Sequence, residues 1–132
     1  MSIRISVAFD AEKQGILTGR KGSTQVGGQA GALAPYDMIL GGLGSCLHYT
    51  FQTVIDKKRI AIESVHYSIE GNKRDEVPAT LKDVYVKATV SGAKEEDKRK
   101  IEKAFDIATR QCSVYQTLEK VADMHPELVF NS

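Results

Sequence analysis

The feature that most constrains this chain is an almost unbroken apolar run, Met38 to Leu47, that holds three glycines and one of its two cysteines. Pro35 stands just before it, where a proline's missing N–H costs a helix nothing. Asp37 follows, matched to the positive end of a helix dipole. The pattern predicts a helix from Pro35 that continues through His48, Phe51, Val54 and Ile55 and ends in the basic cluster Lys57-Lys58-Arg59. A helix apolar on all sides is a buried helix. Gly41, Gly42 and Gly44 would each cost about 1 kcal/mol relative to alanine. Close packing of another backbone against that face is the expected compensation.

The rest of the chain supplies short strands. Ile3, Ile5, Val7 and Phe9 alternate with more polar residues, which predicts a strand with one buried face. Glycines at 15, 19, 22, 27 and 28 punctuate two further short strands, around Ile16-Leu17 and Thr24-Val26, completing a small antiparallel meander. Ile60–Glu70 and Leu81–Val90 read as a strand pair around a polar loop. Glu95, Glu96 and Asp97 mark a helix start, and Ile101, Ala104, Phe105 and Ala108 keep helical spacing. Cys112 opens a second helical pattern, where Ser113 and Gln116 have capping-box spacing. Leu128, Val129 and Phe130 form a last strand after Pro126. The order is meander, helix, two strands, two helices, strand, and the expected fold class is α+β in a single domain over residues 1–132.

With 132 residues and a net charge of +1, the chain gives no electrostatic reason to bind nucleic acid. No apolar run approaches the roughly 20 residues of a membrane span, and the N-terminus has no signal-peptide core. A cytoplasmic location is expected. There a structural disulfide is disfavoured, whereas a transient catalytic one is allowed. The two cysteines form no CxxC pair, zinc-ligand spacing is absent, and no cofactor is expected.

Thiol chemistry needs thiolate, and thiolate needs positive potential. Cys112 has a local source if it sits at a helix N-terminus. Cys46 lies about three turns past Pro35, beyond that helix end's reach. It is therefore expected to borrow a cation. Arg20, in the glycine-flanked turn Thr18–Gly22, is the first candidate, with Arg4, Arg59 and Arg110 as rivals. Asp37 is the acid that could hold the guanidinium. Equally, a cysteine inside an apolar helix can be an inert small hydrophobe. His48, two residues from Cys46, projects from another helix face and is expected to be buried or interfacial. Tyr36, Tyr49 and Tyr115 are core or interface aromatics that could line an apolar pocket.

The stretch Pro35-Tyr36-Asp37-Met38-Ile39-Leu40-Gly41-Gly42-Leu43-Gly44-Ser45-Cys46 resembles the first signature of the OsmC/Ohr family. Cys112-Ser113-Val114-Tyr115-Gln116-Thr117-Leu118 resembles its second, and the likeness covers essentially the whole chain. The resemblance implies an intertwined homodimer whose curved antiparallel sheets wrap around central helices. It implies a thiol-dependent peroxidase acting on organic hydroperoxides or hydrogen peroxide. Cys46 would be the peroxidatic cysteine, Cys112 the resolving one, and an external thiol the reductant. The alternative is a non-enzymatic, stress-associated dimer binding a small hydrophobic ligand near Tyr36, Tyr49 and Tyr115 at the subunit interface. Two departures stand out. The family's peroxidases carry glutamate after the proline, whereas Tyr36 stands here and the acid comes one later as Asp37. Ser113 stands where proline often follows the second cysteine.

Overall fold

A computed structural model describes residues 1–131 of the chain. Three short strands, β1 (Ser6–Phe9), β2 (Gly15–Thr18) and β3 (Ser23–Val26), form an antiparallel meander in the order β1-β2-β3. The first turn is set by Asp10, whose Oδ1 accepts the N–H groups of Glu12 and Gln14. Phe9 pairs across the ladder with Gly15, and only a glycine leaves room for its ring there. The expected buried face of β1 is not covered by the chain itself. Ile5, Val7 and Phe9 all remain exposed, Phe9 at 59%.

Helix α1 spans Pro35–Lys57. At its start Asp37 Oδ2 accepts the Ala34 N–H at 2.9 Å, the half of a capping box that a third-position acid supplies. Leu43, Leu47, Phe51 and Ile55, spaced by four, are fully buried. Each such side chain contributes about 1.5–3 kcal/mol of hydrophobic stabilisation.

A second sheet has the order β4 (Ser64–Lys73), β5 (Leu81–Ser91), β6 (Asp123–Asn131). Val84, Val86, Ala88 and Val90 form the buried face of β5. This sheet is mixed rather than wholly antiparallel, because β6 runs parallel to β5. The reason lies in the connection. A 3-10 turn at Glu95–Asp97, α2 (Lys98–Gln111) and α3 (Ser113–Glu119) carry the chain back to the end where β5 began, as a parallel pairing requires. Pro126 sits inside β6, not before it, and is tolerated because β6 is an edge strand.

The chain divides into two compact units, Met1–Gly41 and the residues from Gly42 onward. Within the second, Phe51 of α1 meets Phe105 of α2 edge to face, with ring centroids 5.7 Å apart. The terminal methyl of Ile69 on β4 lies where a side chain at Gly44 would begin. Thus Gly44 admits a side chain, not the backbone expected from the sequence. Around Gly41 and Gly42 the space is open.

Candidate functional site

Cys46 and Cys112 are both free thiols, Cys46 half-buried and Cys112 fully buried. Their elements are positioned by ordinary backbone rules. Cys112 ends α2 by donating its N–H to the Ala108 carbonyl at 2.8 Å, then turns extended and becomes the N-cap of α3. Its sulfur accepts the Tyr115 N–H at 3.4 Å, and its carbonyl accepts the Gln116 N–H. The expected cap at Ser113 is therefore displaced by one residue. Gln116 does not complete a capping box either. Its side-chain amide donates to the Thr109 carbonyl and ties α3 to the end of α2.

This linkage brings the start of α3 to Cys46. The Ser113 Oγ lies 3.9 Å from the Cys46 Sγ, and the Cys112 thiol neighbours the same sulfur. Burial raises the Cys46 pKa. The Val114 N–H, the Cys112 thiol and the Ser113 hydroxyl and N–H outweigh it, so the pKa falls below the ordinary thiol value. Cys112 goes the other way. Burial is the largest cause, and the neighbouring Cys46 adds to it. The expectation that a helix end activates Cys112 is thus corrected. The first turn of α3 serves the cysteine of the other helix, using neutral donors.

Two further residues belong to this neighbourhood. Tyr67 on β4 meets His48 on α1, with the hydroxyl 3.0 Å from Nδ1. Tyr67 is pushed well above the usual phenol range by burial and by the proximity of Cys112. Tyr115 is pushed up to about 12, first by burial and then by Glu119 and Cys112. Sequence patterns could mark Tyr67 only as an inward position of a strand. The one signal for Ser113 was its place after the second cysteine.

The remaining sequence-derived candidates fall in both units. Arg20 is exposed in the turn between β2 and β3, and Asp37 is engaged at the start of α1. Among the described residues these two do not form an ion pair. Tyr36 belongs with them to the first unit, whereas Tyr49 and Tyr115 belong to the second. Tyr49 is 74% exposed, lining a groove with Thr50, Val54 and Gln111, while Tyr115 is a core residue at 4%. Tyr49 and Tyr115 do not form one pocket wall in the single chain. No group of three or more potential metal ligands occurs among the described residues, and no helix there is long and apolar enough to cross a membrane.

The chain is thus an α+β protein in which a long helix and a short one bring two free thiols into one neighbourhood. The family model described as OsmC-like protein matches residues 27–125, and the chain belongs to the OsmC-like family. A comparison with curated proteins finds no match. Among solved structures, a hypothetical protein from Aquifex aeolicus VF5 is similar with a TM-score of 0.86 at 17% identity, covering 99% of this chain and 97% of its own. An OsmC-like protein from Mycoplasma pneumoniae matches with a TM-score of 0.85 at 15% identity, covering 100% and 99%. The organic hydroperoxide resistance protein OhrB of Bacillus subtilis matches at 0.68 and 17% identity, covering 97% and 98%. At these identities the likeness is one of fold.

Proposed function

We propose that this protein is a cysteine-dependent peroxidase that reduces organic hydroperoxides or hydrogen peroxide. The observation that carries the reading is the asymmetry of the thiols: an accessible Cys46 with a lowered pKa against a buried Cys112 with a raised one. The name of the Bacillus subtilis relative supplies the substrate class. In the first step the Cys46 thiolate attacks one peroxide oxygen. The O–O bond breaks, the sulfur is oxidised to sulfenic acid, and the alkoxide leaves and takes a proton from solvent. Cys112 then attacks the Cys46 sulfur, the S–S bond forms, and water leaves with the Cys112 proton. An external thiol reduces the disulfide by exchange.

We take residues 1–132 to be one OsmC-like domain that acts in the cytoplasm as a homodimer. The uncovered apolar face of β1 and the open space at Gly41 and Gly42 support the dimer. Arg20 and Asp37 enter as the cation and acid that assist Cys46, and Tyr36, Tyr49 and Tyr115 as aromatics near the substrate.

Stopped-flow mixing with cumene hydroperoxide tests the cycle. Thiol loss in the wild type, none in Cys46→Ser, and a dimedone-reactive sulfenic acid accumulating in Cys112→Ser are the expected results. Peroxide consumption that persists in Cys46→Ser would overturn the reading.

A further inference from the structure

Ser113 is the first residue of α3, directly after its N-cap. A serine at the start of a helix ordinarily spends its hydroxyl on a free backbone N–H. Here that service is already rendered, because the Cys112 sulfur accepts the Tyr115 N–H. The cap is displaced by one residue, and the Ser113 hydroxyl is released from it. Among the described residues its only hydrogen-bond partner is the Cys46 sulfur, 3.9 Å away and 67 positions distant in sequence. The backbone that carries it is held on both sides of Cys112, by the bonds to Ala108 and from Gln116. The Ser113 carbonyl is held as well, accepting the Thr117 hydroxyl at 2.9 Å.

We propose that the Ser113 hydroxyl is a catalytic group that donates a hydrogen bond to the Cys46 thiolate. A thiol is a weak donor and a weak acceptor, so the contact adds little while Cys46 is protonated. Once Cys46 has lost its proton to solvent, the same contact becomes charge-assisted and roughly twice as strong. The difference favours the thiolate, in the direction seen for Cys46. The titratable group beside the sulfur is Cys112 at the start of α3, which itself neighbours Tyr115 on α3 and Tyr67 on β4. A thiol and two phenols supply no cation, which leaves the hydroxyl a part to play. A proline at position 113 would supply neither hydroxyl nor N–H, so serine here is a chemical difference and not a neutral variation. The assignment of Ser113 to catalysis rests on the peroxidase reading, but its effect on the thiolate does not.

The test is therefore made on the thiolate itself. The reduced full-length protein is titrated by absorbance near 240 nm and by iodoacetamide alkylation against pH, for wild type, Ser113→Ala, Ser113→Gly and Ser113→Thr. Both truncations are expected to raise the Cys46 pKa, with alkylation at pH 7 slowed about three- to tenfold, a full tenfold corresponding to one pKa unit. Their alkylation rates should converge with wild type at alkaline pH, and Ser113→Thr should retain the wild-type profile. Unchanged pKa values in Ser113→Ala and Ser113→Gly, or a threonine variant that behaves like alanine, would overturn the proposal. Normal pKa shifts in a protein that consumes no cumene hydroperoxide would sink the peroxidase reading and leave the hydrogen bond standing.

Discussion

The Tyr67 hydroxyl lies 3.0 Å from His48 Nδ1, a side-chain bond that joins β4 to α1 close to Cys112. Burial and the nearby thiol both resist ionisation of the phenol, so Tyr67 keeps its proton and can donate a hydrogen bond to Nδ1. With the donor removed, Nδ1 is left facing a space that still holds a ring. We expect Tyr67→Phe to lose about 1 kcal/mol of stability, the net value of a typical hydrogen bond. Urea unfolding monitored by circular dichroism measures it, and an unchanged midpoint would show that water replaces the phenol.

The two thiols should separate in a pH series. Cys46 has its folded pKa below the unfolded value, so its contribution to stability is present above the ordinary thiol range and is lost as pH falls through the folded pKa. Cys112 has its folded pKa raised, so its contribution is full below that range and is lost as pH rises through the folded pKa. Thermal midpoints from neutral to alkaline pH are expected to fall less steeply in Cys112→Ser than in wild type. Iodoacetamide at neutral pH should label Cys46 well before the buried Cys112, with mass spectrometry of peptides as the readout.

Asp37 has a structural task whatever else it does. Its bond to the Ala34 N–H closes the start of α1. Asp37→Ala should therefore cost about 1 kcal/mol, as loss of a cap does. A capping role alone leaves the Cys46 thiolate titration unchanged in that variant. A rise in the Cys46 pKa would instead place Asp37 in the electrostatics of the thiol.

Gly42 discriminates between a solitary chain and a dimer. Nothing lies within 4 Å of the position its side chain would take. In a solitary chain a larger residue there is sterically free and improves helix propensity by up to about 1 kcal/mol. Our expectation is the opposite for the assembly: Gly42→Leu should shift the mass measured by light scattering from dimer toward monomer. A wild type that runs as a monomer would remove the reading.

Much of the fold was legible because local rules govern it. Pro35 and Asp37 mark the start of α1, Val84 to Val90 alternate as β5 requires, and Ile101 to Ala108 follow the helical repeat of α2. The direction of β6 was not legible, since a three-residue apolar run carries no sign of parallel or antiparallel pairing. Nor was the reach of the strand past Pro126, which depends on its being an edge. At the site, the cysteines were readable from their contexts, but the direction of their pKa shifts was not. The Cys46 shift arises from donors of α3 across 67 residues and the Cys112 shift chiefly from burial, and a helix end gives no hint of which sulfur it will face. The capping-box spacing misled for a related reason: sulfur is an uncommon cap, and Cys112 took the place that serine would have filled.

That choice of cap couples chemistry to local order. The sulfur that receives the Tyr115 N–H is the one the proposed cycle draws into a bond with Cys46. Whenever it is pulled away, α3 gives up that cap. A helix of seven residues then keeps the Gln116 bonds to Cys112 and Thr109 but loses the one on the Tyr115 N–H. The oxidation state of the protein would then be written in the fraying of one short helix, legible to any reductant that must find the disulfide among surfaces otherwise alike.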